Sequence, residues 1–496
     1  MASSFTPTTY EDLPTDRRPS FRIALVPVLA VVAFLGVGSA VLGLDPHAPL
    51  LWSIVFVAAL GRWLGYEWED LFEGVSNGLL MGIQALLILF TIYALIATWV
   101  ASGTIPGLMY YGLSVLTPTV FLPVAALLAA VVAFSIGSSW TTVGTLGVAF
   151  VGIGAGLGVP APMTVGAVLS GAYAGDKQSP LSDTTNLAAG VTNTDLYTHI
   201  RRMRFGTLVA FGIAIVAFGI LGLQAAGTIP ADRLAEILEA LTGTYDLSPL
   251  VFLPLAVTFG LALRGYPALP SLVAGVFAGV ATTIAVQGTG FVAAWDVFLY
   301  GTAPETGSTL VNDLLAAGGI TGSAWTISVV VAALSLGGVL ERTGILAVLA
   351  HGLTGAVRSS GSLVAGTGLS AIAINALTAQ QYMSIVLPGV TLRNLYAEFD
   401  LDSDQLSRAL EAAGTPTGAL LPWHAGGVYM ATVTDVPTLE YAPFYLFGFL
   451  SPLVLFAMVL GGIDVPRTTR ASGPADPAGT ADSDGTATST PVSGDD

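Results

Sequence analysis

Gly175-Asp176-Lys177-Gln178-Ser179-Pro180-Leu181-Ser182-Asp183-Thr184-Thr185-Asn186 lies between two strongly apolar segments and holds the one lysine of the 496-residue chain. Its three ionisable groups and six hydroxyl or amide side chains are costly at membrane depth unless a polar solute is handled there. Pro180 breaks a helix entering the run, and Val165 to Ala174, which leads into it, carries no charge. The alternative is a cytoplasmic loop whose charges are merely solvated, and the density of Ser, Thr and Asn argues against it. The run implies an all-α, polytopic membrane protein with the core of a transporter.

Composition supports that class. Hydrophobic residues make up 53% of the chain, charged residues 10%, and mean hydropathy is +0.77, beyond what ordinary soluble domains reach. Gly, at 59 residues, exceeds the roughly 7% of average usage and suits close helix packing and broken helices in a bilayer. Without cysteine the chain has no disulfide, thiolate metal site or Cys nucleophile. The net charge of -16 argues against nucleic acid as a partner. An acidic, lysine-poor surface is favoured where salt screens repulsion between carboxylates, so the composition is haloarchaeal-like and a halophilic source is expected.

Residues 1–20 form a polar segment, and Ile23 to Leu44 is an apolar run long enough to cross a bilayer, read as a retained first helix. The first transmembrane half is expected over 21–226, a connecting loop over 227–247, a second half over 248–465, and an acidic, disordered tail over 466–496. Hydropathy gives about eleven or twelve crossings, with some spans too short or too Gly-rich to cross alone and therefore re-entrant or half helices. Arg17, Arg18, Arg22, the cluster Arg201, Arg202 and Arg204, and Arg467 and Arg470 flank apolar spans, whereas Ser102 to Pro118 has no basic residue. The positive-inside rule then places both termini in the cytoplasm, with an even number of crossings.

A weak internal repeat matters more. A shift of 242 residues puts Gly147 on Gly389, Pro180 on Pro422, Trp140 on Tyr382 and Thr142 on Ser384. Each half has a polar break, Ser138-Ser139-Trp140-Thr141-Thr142 in one and Asn375-Ala376-Leu377-Thr378-Ala379-Gln380-Gln381 in the other. Each then has a second break, the Lys177 run and Gly414-Thr415-Pro416-Thr417-Gly418 through Pro422-Trp423-His424. Paired interrupted helices at corresponding positions mark the binding centre of a secondary transporter.

The candidate ion- or substrate-binding residues are Asp176, Lys177, Ser179, Ser182, Asp183, Thr184, Thr185 and Asn186, with Ser138, Ser139, Thr141 and Thr142, and with Asn375, Thr378, Gln380, Gln381, Thr415 and Thr417. Carboxylate, hydroxyl, amide and freed carbonyl oxygens can replace the hydration shell of a hard cation such as sodium, and a desolvated carboxylate also takes up protons more readily. Lys177 is expected to neutralise one of the aspartates by a salt bridge. Asp176, Asp183, Glu411 and His424 are the proton-carrying candidates. For Ser138 to Thr142 the bland alternative is hydroxyls bonded back to their own helix, and for His424 a structural histidine satisfied by backbone. No phosphate-binding loop, His-Glu-x-x-His or Gly-x-Ser-x-Gly motif is present, so neither ATP-driven transport nor an enzyme is expected, and no cofactor or resident metal.

The run Ser170 to Asn186 closely resembles the signature of the NhaC-type sodium/proton antiporter family of the ion transporter superfamily. Asn375 to Thr378, Ser384 to Gly389, and Leu410-Glu411 through Pro422-Trp423 resemble its second-half motifs. The resemblance implies two inverted repeats and a plasma-membrane secondary transporter that exchanges cytoplasmic sodium for external protons by alternating access. Ala412 and His424-Ala425 depart from the acidic residue and Asn-Thr pair that the resemblance leads one to expect. The same family includes exchangers of amino acids and organic acids, such as arginine/ornithine or malate/lactate antiport, which stand as the alternative. A passive ion channel or membrane sensor is the alternative from another class. Expected partners are sodium ions, protons and the lipid bilayer; an organic substrate and a homodimer stay open.

Overall fold

The computed structural model describes residues 8–225, 231–355 and 357–463. Residues 1–7 of the polar amino-terminal segment and the whole of the acidic tail over 466–496 lie outside these. Among the described residues the fold is helical, with a β-bridge between Thr302 and Ala317. Seven helices among the described residues are long and apolar enough to cross a membrane, or up to nine when two bent pairs are each taken as one crossing. The expected connection at 227–247 contains the helix Ala231–Thr244.

The polar centre is built from shorter pieces. In the first half, α1 (Pro118–Ile136) ends at Gly137, and α2 (139–156) follows, with a π-helical turn Val143–Gly147 inside it. Next come α3 (Ala161–Asp176) and α4 (Asp183–Val191), and then the long α5 (Leu196–Ala225). In the second half, α6 (Ser360–Thr378), α7 (Gln381–Glu398), α8 (Ser403–Thr417) and α9 (Ala425–Thr434) repeat the order, and α10 (Leu446–Gly461) closes it.

The shift of 242 seen in sequence carries residue 118 to 360, 136 to 378, 139 to 381, 156 to 398, 161 to 403 and 183 to 425. These are the boundaries of corresponding helices in the two halves. The first breaks match in conformation as well. Gly137 at φ 74° and Ala379 at φ 54° end α1 and α6 in the left-handed region, their N–H groups donating to the carbonyls of Ala133 and Asn375 at 2.7 and 3.1 Å. Glycine adopts this conformation without cost, whereas alanine does so only where its surroundings hold it.

Close approaches reveal the directions. Gly171 sits on the backbone of Ala126 and Gly175 on that of Ala130, so α1 and α3 run parallel and α2 must turn back between them as a re-entrant hairpin. In the second half Ala371 touches Gly414 and Asn375 reaches Thr417, the same parallel relation for α6 and α8. Across the halves, Thr184 meets Glu411 and Thr194 meets Ser403. The broken helix α3–α4 is thus antiparallel to α8–α9, and the repeats are inverted.

A scaffold pair supports this core. Along Trp68–Ala101, Gly74, Gly78 and Gly82 lie one turn apart on the face that meets Arg342, Gly338 and Leu334 of Ala324–Arg342, the small-residue contact by which helices approach in lipid. At the end of this pair Asp70 joins Arg342 at 2.8 Å and Arg17 at 3.5 Å.

The Gly175 contact is with backbone, which cannot step aside as a side chain can. Gly175→Ala is expected to cost about 1–3 kcal/mol through overpacking, read as a lower thermal unfolding midpoint of the detergent-solubilised protein. An unchanged midpoint would mean that α1 and α3 part freely.

Candidate functional site

Four half-helices, α2, α4, α7 and α9, begin at the centre. Each start is capped by a side chain: Ser138 Oγ accepts from Thr141 N at 3.1 Å, Ser182 Oγ from Thr185 N at 3.4 Å, Gln380 Oε1 from Met383 N at 2.9 Å and His424 Nδ1 from Gly426 N at 2.9 Å. The caps are repeat-related, Ser138 with Gln380 and Ser182 with His424. Helix starts leave backbone N–H groups unpaired and carry partial positive charge, so four of them converging in a low-dielectric setting favour anions between them.

Two carboxylates occupy that position. Asp176, almost fully buried, ends α3 and accepts from Ser139 N at 3.0 Å through Oδ2, while its Oδ1 has no partner among the described residues. Asp183 opens α4; its Oδ1 accepts from Thr184 N at 2.8 Å and its Oδ2 from the Tyr382 hydroxyl. Asp183 is exposed, and both aspartates line a cavity of ≈ 30 Å³ with Ser138, Ser139, Gln380, Gln381, Tyr382 and His424. Ala85, Ile88 and Leu334, near the middles of their long helices, form its apolar wall, which puts the cavity at mid-depth.

Of the candidates from sequence, Asp176, Asp183, Ser138, Ser139, Gln380, Gln381 and His424 are brought together here. Gln381 Oε1 is buried without a partner. Thr142 and Thr378 donate to their own helices, at Ser138 O and Ile374 O, and Asn186 Nδ2 bonds Pro180 O and Ser182 O. Ser179 Oγ accepts from Leu181 N within the break. Thr141 and Thr185 are buried, their hydroxyls without a partner among the described residues, and the buried Thr415 lies beside Glu411.

The expected salt bridge between Lys177 and an aspartate does not form. Adjacent residues at a helix end point about 100° apart, so while Asp176 turns to Ser139, Lys177 turns to α8 and α10. Its ammonium, wholly buried, donates to Ser451 Oγ at 3.1 Å and Ala412 O at 3.5 Å and lies 5.2 Å from the Phe447 ring centre. Glu411 is wholly buried beside it in sequence with Ala412; Oε1 accepts from Thr184 Oγ1 at 3.0 Å and Oε2 has no well-aligned hydrogen bond among the described residues.

His424 Nε2 lies 2.7 Å from Asn375 Oδ1. With Nδ1 accepting from Gly426 N and Nε2 facing an acceptor, the partners assign the neutral ring with hydrogen on Nε2. Asn375 in turn donates to Gly414 O and Thr417 Oγ1 at 2.7 and 3.1 Å, so both are tied into the joint between α6, α8 and α9.

Tyr382, Trp140 and Tyr429 were missed as site residues. Trp140 and Tyr429 stack with centroids 4.4 Å apart, and Tyr429 donates to Trp140 O. On the far side of this stack, away from the Asp70–Arg342 end, opens a vestibule of ≈ 640 Å³ lined by Tyr93, Trp325, Thr326, Thr432, Asp313 and Asp435 among others. The 242-residue match of Trp140 to Tyr382 was the available signal for two aromatic residues at the paired breaks.

The Na+/H+ antiporter family model matches residues 171–463. The chain is 53% identical over 92% of its length to the arginine/ornithine antiporter ArcD of Halobacterium salinarum, covering 95% of that protein. It is 39% identical to the Na+/H+ antiporter NhaC of Alkalihalophilus pseudofirmus, over 86% of this chain and 92% of that one. The malate-2H+/Na+-lactate antiporter of Bacillus subtilis is 34% identical over 81% of this chain and 85% of its own.

Removing the ring of His424 takes away a helix cap and the partner of Asn375 together. His424→Leu is expected to lose about 0.5–2 kcal/mol for the cap and more for the orphaned amide, whereas His424→Asn, which can still cap, should retain more of the thermal midpoint. Equal midpoints for the two variants would refute the capping role.

Proposed function

The chain belongs to the Na+/H+ antiporter family, and we propose that it exchanges cytoplasmic sodium for external protons by alternating access. The observation that carries this reading is the meeting of Asp176 and Asp183 in a cavity of ≈ 30 Å³ where four helix starts converge. A space of that size takes an ion and its remaining water. Asp176 Oδ1, an Asp183 oxygen and Gln381 Oε1 are free or water-facing acceptors that can stand in for a sodium hydration shell. Ser138 and Ser139 hydroxyls add neutral oxygens on the same wall.

In this reading the two aspartates hold either sodium or protons, because two carboxylates this near the same cavity resist being charged together unless a cation lies between them. Sodium arriving displaces the protons; protons arriving release the sodium. The Trp140–Tyr429 stack separates the cavity from the vestibule. The end bearing Arg17, Arg62, Arg342 and Arg202 is assigned to the cytoplasm by the positive-inside rule, which makes the vestibule external.

A second reading, exchange of basic amino acids, is favoured by the 53% identity to an arginine/ornithine antiporter. The vestibule, with two carboxylates and two aromatic rings, is chemically suited to a guanidinium or ammonium group.

Asp183→Asn is expected to abolish sodium-dependent proton movement in proteoliposomes while the protein keeps its thermal midpoint. Unchanged transport in that variant would remove Asp183 from the mechanism, and sodium-independent counterflow of labelled arginine against ornithine in the unmodified protein would replace the first reading with the second.

A further inference from the structure

The charges in the Lys177 run divide in space: both aspartates face the central cavity, while the wholly buried lysine is turned away from it, between α8 and α10. A buried charge is costly unless paired, yet among the described residues no carboxylate lies within ion-pair distance of Lys177 Nζ. Glu411 is equally buried, with the Thr415 hydroxyl beside its carboxylate, and its Oε2 has no well-aligned hydrogen bond among the described residues. The groups that act electrostatically on the lysine are Glu411 and Asp176, and Lys177 in turn acts on His199. Beyond Ser451 lies a cavity of ≈ 10 Å³ walled by Ala412, Thr207, Met203 and the buried Arg408, whose guanidinium bonds Gln405 Oε1, about the least volume that holds a water molecule. Thr207 also accepts from Gln178 Nε2 at 3.2 Å.

Resting on the reading above, in which the two aspartates exchange protons for sodium, we propose that sodium enters by the water-facing opening at Asp183 while the protons are delivered from the other side, along a path formed by Glu411, Lys177 and Ser451. A charged lysine and glutamate become a neutral pair when one N–H bond of the ammonium breaks, its electron pair stays on nitrogen, and the proton bonds Glu411 Oε2. Net charge is unchanged by the transfer, and the cost of two buried charges is removed. The four-carbon stem of Lys177 lets Nζ move between Ser451 and Glu411 Oε2. Ser451, which donates to Ala412 O at 2.7 Å and accepts from the ammonium at 3.1 Å, joins the pair to the water-sized cavity against α5. Thr184 ties this path to the sodium cavity: its backbone N–H donates to Asp183 and its hydroxyl to Glu411, so a change of charge on either carboxylate is felt by one residue shared between them.

The test uses the full chain in proteoliposomes and reads two fluxes, exchange of labelled sodium against unlabelled sodium and sodium-driven proton movement by a trapped pH dye. Ser451→Ala and Lys177→Gln are expected to slow proton movement by at least about tenfold, within the range for removing a proton-transfer group, and to leave sodium-for-sodium exchange within about twofold. Ser451→Thr, which keeps the hydroxyl, is expected to restore proton movement. The separate path is overturned if proton movement in both variants matches the unmodified protein, or if both fluxes fall together in variants that retain the parental thermal midpoint. Absence of sodium exchange in the unmodified protein overturns the sodium reading itself, a result distinct from either.

Discussion

Everything at the centre follows from halting helices inside a membrane. A helix that starts at mid-depth exposes unpaired N–H groups where no bulk solvent can satisfy them, and this fold starts four there. Ser138, Ser182, Gln380 and His424 each accept one such donor, and Asp176 accepts another from Ser139. The carbonyl of Ala379, freed by its left-handed turn, accepts from Ala425 N at 2.9 Å. Residues that read as ion ligands in the sequence therefore first serve the backbone, and only the oxygens left over can meet a solute.

This double duty explains what was legible beforehand. The two-break pattern and the shift of 242 predicted the architecture because turn and cap chemistry is local: Pro, Gly and short polar side chains interrupt apolar runs wherever they stand. The convergence of Asp176, Asp183 and the Gln380–Gln381 pair followed from it. The direction of a side chain at a helix end was not legible, since it depends on which neighbour fills the adjacent face. Lys177 was assigned to an aspartate and instead turned to Ser451, a residue 274 positions away in an otherwise apolar helix. Tyr382 was hidden for a similar reason: an aromatic residue in an apolar span reads as packing until a carboxylate is found at its hydroxyl.

Part of the hydroxyl set serves its own helices. Thr142, Thr378 and Thr417 donate to carbonyls of their own helices, as threonine commonly does in membrane spans. His424 is similar: its two ring nitrogens are occupied by Gly426 N and Asn375, and taking up a second proton would convert the capping acceptor into a donor facing another donor.

The duplication is symmetric in backbone and asymmetric in charge. Carrying the first half onto the second by 242 residues puts Gly418 opposite Asp176, Ala419 opposite Lys177 and Ala425 opposite Asp183, while Glu411 falls opposite Leu169. A fully symmetric centre would gather twice the carboxylates around one small cavity, and like charges at such range disfavour one another's ionisation. With no charge at the corresponding positions of the second half, two aspartates serve four helix starts, close to balance if each start carries about half a unit of positive charge. Glu411, within two turns of the end of α8, bonds Thr184 and lies outside the lining of the cavity. Symmetry supplies the opposed hairpins that alternating access requires, and its breaking gives the two halves different electrostatic tasks.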